Sequence, residues 1–405
     1  MRVLVAPDSF GDALPATAAA RAIRDGWLTT APHDDVRTLP LTDGGAGFVR
    51  TLHDSLGGEL LSATVRSPSG QPVPAALLVV DDPAGGRTAY VEAAHATGRG
   101  LVPAGHPGPG RATSLGVGDL LRSARGTGAT RVVVGVGDAA SNDAGAGMLA
   151  ALGVGRDVVG SPGDDGGVLA GGGLGLATVS DDDLTGLAAA RADWAGIRLV
   201  AVCAADRPLL GLHGASAGAT DHGASPEESQ ALERALGHFA HAAVAALGPD
   251  AVRPDLLASA RPATPVARLA GLPGAGAGGG LGFALALLGA RVVPGAAWAA
   301  DEVRLDDRLA ASDLVVTGEG VVRVRSVHDA VTATVAARAL ACAVPTVVIA
   351  GQVLVGRREL ASAGISAAYP VSDPGAGPVV AGDGPGEAPA ALASRAARVA
   401  RTWSR

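Results

Sequence analysis

Short runs of aliphatic and β-branched residues alternate with longer Ala-rich stretches along the chain. Residues 3–6 are all apolar, lie between Arg2 and Pro7, and read as a buried strand. Residues 16–30 follow with Ala19, Ile23 and Trp27 spaced four apart, which places them on one stripe of a helix. The same unit recurs around strands predicted at 131–136, 197–202, 314–317 and 346–350. Apolar strands separated by helical lengths predict an α/β fold, with a parallel sheet covered by helices. Residues 57–91 break the pattern. The runs SATVRS, ALLVVDD and TAYVEA are separated by Pro and Gly turns and predict part of a second, smaller domain. Residues 153–175 and 372–391 are dense in Gly, Pro and Asp and predict loops or linkers. A helix over about 391–401 closes the chain.

Polar and Gly clusters fall just after the predicted strands. Pro7-Asp8-Ser9 follows the first, Gly137-Asp138 and Ser141-Asn142-Asp143 follow the second, and Cys203 to Asp206 follow the third. Gly318-Glu319-Gly320 and Gly351-Gln352 follow the last two. Open parallel sheets bind ligands outside the carboxyl ends of their strands, so these loops predict convergence on one small molecule. Taken singly, each cluster is equally a strand-to-helix turn whose Asp or Ser caps the helix. Thr42-Asp43-Gly44-Gly45 precedes a helix starting near Phe48; its amides suit an anion, and Asp43 suits Mg²⁺ or a hydroxyl. Thr113-Ser114 opens another helix. Residues 274–280, which include Gly276, Gly278 and Gly279, let a ligand or another backbone come very close.

Composition removes several chemistries. The chain has 405 residues and 32 basic side chains, all of them Arg. Without Lys there is neither a Walker-type phosphate loop nor a Schiff-base site. With 4 Trp, 4 Phe and 2 Tyr, and a net charge of −7, a base-stacking or basic nucleic-acid surface is not expected. Two cysteines, Cys203 and Cys342, exclude a disulfide framework or a Cys-rich zinc site. The apolar run 278–290 is too short and Gly-rich to span a bilayer, and no signal peptide is apparent, so the expected location is the cytoplasm. Residues 135–140, Gly-Val-Gly-Asp-Ala-Ala, match a dinucleotide fingerprint weakly; Asp138 would set a negative charge beside a pyrophosphate. His238 and His241 read as one face of a surface helix, and His95 follows the strand that ends near Ala93.

Several of these motifs together carry a resemblance. Residues 6–10 (Ala-Pro-Asp-Ser-Phe), Asp43-Gly44-Gly45, Ala112-Thr113-Ser114, residues 141–148 (Ser-Asn-Asp-Ala-Gly-Ala-Gly-Met), the Gly run 274–280 and Thr317-Gly318-Glu319-Gly320 resemble, in order, the motifs of the type 1 glycerate kinase family. The resemblance covers residues 1 to about 370. It implies two α/β domains, one of them a flavodoxin-like parallel sheet domain, with the second smaller and the arrangement discontinuous in sequence. The expected division is 1–56 with 112–265 and 305–371 for the flavodoxin-like domain, 57–111 with 266–304 for the second, and 372–405 as linker and C-terminal helix. The resemblance also implies ATP- and Mg²⁺-dependent phosphorylation of D-glycerate in a cleft between domains, so the expected partners are a small hydroxy acid and a nucleotide. It places Asp8, Asp43 and Asp143 in catalytic positions, with the base among them left open. Ser9, Gly44, Gly45, Thr113, Ser114, Ser141, Asn142, Gly276, Gly278, Gly279, Gly318, Gly320 and Ser326 fall at substrate or phosphate positions, and Glu319 at a metal position.

The chain also departs from the family pattern. Gly11 stands where the family has Lys, Asp138 and Ala139 replace a Gly-Ser stretch, and Ala204 replaces an Asp. Asp221-His222-Gly223-Ala224 stands for Gln-Lys-Gly-Ala. After Gly320, the family's Arg, apolar residue and Asp become Val321, Val322 and Arg323; its Gln-Ser becomes Arg325-Ser326, and its Gly-Lys becomes Asp329-Ala330. Phosphoryl transfer rests on positioned cations and metal ligands. Two readings therefore follow: a glycerate-kinase-like enzyme with a degenerate site, in which Arg323, Arg325 or His222 replaces lost charge, or a non-catalytic relative that binds a small anion or nucleotide.

Overall fold

The computed structural model describes residues 1–405 except 12–13, 83–84, 104, 106–107, 156–166, 221–222, 252–262, 329, 373–386 and 405. Asp12, Asp221, His222, Asp329 and much of the two predicted loops lie outside the described residues. The chain opens with β1 (Arg2–Val5) and β2 (Asp35–Thr38), then continues through β3 (Glu59–Arg66), β4 (Pro72–Asp81), β5 (Arg87–Glu92), β6 (Arg131–Val136), β7 (Arg198–Cys203) and β8 (Arg291–Pro294). It ends with β9 (Leu314–Thr317), β10 (Val321–Val322), β11 (Thr346–Ala350), β12 (Gln352–Val353) and β13 (Ile365–Pro370). Contacts divide it into two compact units: Met1–Asp43 with Arg50–Gly57 and Gly295–Arg405, and Gly44–Val49 with Gly58–Pro294.

The first unit holds a five-stranded sheet in the order β13-β11-β9-β1-β2, parallel throughout. Counted by appearance within this unit, the order is 5-4-3-1-2. That is the flavodoxin-like arrangement, whose ligand crevice lies where the order reverses, here between β1 and β9. Val3 and Val5 of β1 pack with Ile23 and Trp27 of the helix Ala16–Thr30 and with Ala396 and Val399 of the helix Glu387–Trp403. Trp27 is fully buried, and its indole N–H donates to Asp34 Oδ2 at 2.8 Å. β2 is polar, with Val36 alone buried, because it is an edge strand.

The second unit is built on the sheet β3-β4-β5-β6-β7-β8. β3, β4 and β5 are antiparallel neighbours, while β5 through β8 run parallel. This corrects the expected domain division. Pairing of β5 with β6 (Thr88↔Arg131 through Glu92↔Gly135) joins residues 57–111 to 112–265 in one sheet, so the flavodoxin-like unit excludes 112–265. The run 278–290 becomes the helix Ala277–Leu287, buried on nearly all sides. Its opening residues Gly278, Gly279 and Gly280 have φ of 60°, 67° and 97°, so regular helix begins after them. Among the described residues no helix is long and apolar enough to cross a membrane.

The C-terminal helix docks where Gly26 leaves no side chain. A Cβ there would lie 2.1 Å from the Ala393 carbonyl oxygen. Gly26→Val is expected to lower stability by about 2 kcal/mol, the overpacking cost exceeding any gain in helix propensity. Urea unfolding of the variant beside the parent checks this.

Candidate active site

Three neighbouring parallel strands of the first unit lead into acids. Asp8 follows β1, Glu319 follows β9 and Asp43 follows β2. Backbone hydrogen bonds continue past the strand ends and lace these loops together. Asp8 N–H donates to Gly318 O at 2.9 Å, Leu41 N–H to Pro7 O at 2.9 Å, and Gly351 N–H to Glu319 O at 3.2 Å. The Thr317 hydroxyl, fully buried, donates to Ala6 O at 2.7 Å. Gly318 makes the nesting possible: a Cβ would sit 1.8 Å from Ile349 O. Gly320 passes against the Phe10 backbone. Both glycines thus serve the approach of loop to loop.

This framework presses like charges together. Asp8 is half-buried, yet surrounding protein withdraws its hydration, and its carboxyl is held well above the usual carboxylate range by that desolvation and by the charges of Asp43 and Glu319. The Ser9 N–H, donating to Asp8 Oδ1 at 2.7 Å, opposes the rise. Glu319 is also raised, first by burial and in part by Asp43, against the lowering influence of Thr332, Ser326 and Arg325. Glu319 Oε1 and Thr332 Oγ1 are nonetheless buried without a hydrogen-bond partner. Ser326 is buried and its hydroxyl accepts from Arg323 N–H at 3.0 Å.

In the second unit the expected site residues are held by protein contacts of their own. Asp143 is completely buried, and its oxygens accept from Ser114 N–H (2.8 Å), Ser114 O–H (2.9 Å), Gly145 N–H (3.0 Å) and Gly147 N–H (3.3 Å). Burial raises its pKa, and these donors pull it back. Ser114 Oγ in turn accepts from Met148 N–H at 3.0 Å, and Thr113 Oγ1 accepts from Leu115 N–H at 3.4 Å. Asp143 and Ser114 therefore clamp two loops, three of the four donors meeting Oδ2 and one Oδ1. Ser141 and Asn142 differ: both are buried, and Ser141 Oγ and Asn142 Oδ1 lack partners while Asn142 Nδ2 donates to Ala215 O at 2.8 Å. Protein fills the space beside the glycines of 274–280. A Cβ would lie 2.1 Å from Pro208 O at Gly276, 2.8 Å from Val136 Cγ1 at Gly278 and 1.8 Å from Ser141 O at Gly279. Gly44 likewise abuts Val202 O, and Gly45 packs beside Gly137. Asp138, at φ 47°, is paired with Arg99.

Glu92 is a residue the sequence reading passed over. It closes β5, is buried, and accepts from Gly47 N–H at 2.8 Å and Val49 N–H at 3.0 Å. The signal was available, because an acid at the carboxyl end of an apolar strand is what marked Asp8 and Glu319. His95 Nδ1 meets Ala76 O at 3.0 Å, and its Nε2 lies 3.7 Å from Glu92. Thr332 had no sequence signal beyond its place in a helix.

A sequence model of the glycerate kinase family matches residues 3–404. The chain belongs to the glycerate kinase family. A Bacillus subtilis protein named glycerate kinase is 34% identical over 94% of this chain and 92% of its own length. A glycerate 2-kinase of Escherichia coli is also 34% identical, over 87% of this chain and 85% of its own length. An uncharacterized protein of Mycobacterium bovis is 37% identical over 92% of this chain and 84% of its own. Among solved structures, one assigned as a glycerate kinase 2 from Salmonella typhimurium is 30% identical with a TM-score of 0.72, covering 99% of this chain and 98% of that one. Within this glycerate kinase fold, Gly11 has φ 71° with no atom near its missing side chain, so a left-handed turn has taken over a position where the resemblance expects Lys.

Two substitutions separate the acids by sign. Asp8 and Glu319 bind protons more tightly folded than unfolded, so stability falls as pH rises from about 4 through their raised folded values. Asp8→Asn is expected to flatten that fall and to leave the protein more stable than its parent near neutral pH, each pKa unit removed being worth about 1.4 kcal/mol. Asp143→Ala strands four donors and is expected to cost about 3 kcal/mol. Urea titrations at about pH 4.5 and about pH 7.5 check both; an unchanged pH slope in Asp8→Asn would mean that folding does not raise the Asp8 pKa.

Proposed function

We propose that this glycerate-kinase-like protein is an ATP- and Mg²⁺-dependent phosphotransferase of the cytoplasm that phosphorylates a hydroxyl of D-glycerate. The observation that carries this reading is the meeting of Asp8, Asp43 and Glu319 at the order reversal of the flavodoxin-like sheet, with Glu319 Oε1 buried and unpartnered. Hard carboxylate oxygens suit Mg²⁺, which is commonly held by one or two carboxylates and completed by substrate phosphates. Among the described residues no three acids or histidines close into a cage of their own. Glu319 and Asp43 are the residues that would hold it. When bound, the ion supplies charge neutralisation on the phosphate oxygens.

The chain's own residues do the rest. Asp8, made a stronger base than an ordinary carboxylate by burial and by the charges of Asp43 and Glu319, takes the proton of the acceptor hydroxyl. Ser9 N–H fixes the orientation of that carboxylate. Arg325 is near enough to Glu319 to lower its pKa and carries positive charge where phosphate oxygens collect it. Ser326 shapes the turn through its bond with Arg323 N–H.

The second reading, a non-catalytic homologue that binds a small anion or nucleotide, is favoured by Gly11, Arg323 and Ala330, where the resemblance expects Lys, Asp and Lys. One experiment separates the two. Purified protein with ATP, Mg²⁺ and D-glycerate is expected to form phosphoglycerate, and Asp43→Ala to reduce turnover about a hundredfold or more. Calorimetric binding of nucleotide or glycerate with no product would replace the enzyme reading with the binding one.

A further inference from the structure

Away from the acids, a cavity of about 330 Å³ in the first unit is walled by β1, β2 and residues of the helices beside them. Asp8, Asp43 and Glu319 are not among its walls. Four guanidinium groups line it, from Arg2, Arg21, Arg37 and Arg308. Two are already engaged: Arg2 with Asp313 at 2.5 Å and Arg37 with Asp35 at 2.9 Å. Arg21, on the helix Ala16–Thr30, and Arg308, on the helix Leu305–Ala310, form no ion pair with a carboxylate among the described residues. Both are exposed.

The remaining polar wall is mixed. Ser55 lines the cavity, and its hydroxyl is buried without a hydrogen-bond partner. Thr17, Thr38 and Ser312 add further hydroxyls, and Asp54 adds a carboxylate beside the Asp35 that Arg37 engages. A simple inorganic anion would suit the two guanidinium groups but would face Asp54 unfavourably. A molecule with a phosphate at one end and hydroxyls at the other satisfies both, because a carboxylate accepts from a hydroxyl. The volume lies at the low end for small-ligand sites, so the molecule is of a few carbons.

We propose that this cavity binds a small phosphorylated polyol, with the phosphate between Arg21 and Arg308 and a hydroxyl on Asp54. The site is distinct from the acid site and does not depend on the activity assigned there. The test is calorimetric titration of the full chain, in low salt, with glycerol 3-phosphate, inorganic phosphate and glycerol. Glycerol 3-phosphate is expected to bind several-fold more tightly than phosphate, and glycerol not to bind. The double variant Arg21→Gln/Arg308→Gln should weaken both phosphates about tenfold or more. Asp54→Asn should weaken glycerol 3-phosphate while tightening inorganic phosphate. Asp8→Asn/Glu319→Gln should leave the affinities unchanged. Unaltered affinity in the arginine double variant, with its melting temperature intact, would overturn the proposal. So would loss of binding in the Asp8→Asn/Glu319→Gln variant, which would move the ligand to the acid site, or equal binding of phosphate and its polyol ester.

Discussion

Like-charge repulsion held in place is the constraint on which the first unit turns. Burial first, and then the charges of Asp43 and Glu319, raise the Asp8 pKa, and backbone hydrogen bonds that carry the β2-β1-β9-β11 ladder beyond the strand ends hold the three loops together. Gly318 and the buried Thr317 hydroxyl close the remaining slack. The sheet beneath supplies the opposing stability through the packing of Val3, Val5, Ile23 and Trp27. Carboxyl groups with raised pKa beside other acids are usual where a site must be ready for a cation or a proton before the ligand arrives.

The second unit uses its carboxylates the other way. Asp143 and Glu92 are buried, but each is met by N–H or O–H donors, so their charge is spent inside the protein. They fix loops. The two sets look alike in sequence, since each acid stands just after an apolar run. What distinguishes them is the count of donors that folding delivers, and those donors come from distant segments, 29 residues away in the case of Ser114 and Asp143.

Legibility in the sequence follows the same physics. Strands 131–136, 314–317 and 346–350 were readable because they are buried on both faces and mostly apolar, with Arg131, Thr317 and Thr346 only at their ends. β2 was not, because an edge strand with one buried residue has no periodic signal. The α/β class and the flavodoxin-like order were within reach, but the membership of the units was not. Periodicity says that a segment is a strand and leaves open which strand it pairs with, so the parallel pairing of β5 and β6 could not be read from residues 57–136. Asp8 and Glu319 were found by their place after strands, and Asp43 by the Gly turn that precedes the helix at Phe48. The glycines of 274–280 satisfied a ligand reading and a packing reading equally, and the atoms that crowd Gly276, Gly278 and Gly279 favour packing.

The discontinuity of the first unit has a consequence for how the polypeptide is made. β1 finds one neighbour, β2, within its first forty residues, but its other, β9, lies 311 positions later at the Val3↔Leu314 pair. At a synthesis rate of about 5–20 residues per second, the first sheet stays open at β1 for roughly 15–60 s while the whole second unit emerges. The order of assembly on the ribosome is therefore set by topology: the inserted unit is completed first, and the acids at the ends of β1 and β9 come together only when that long loop is closed.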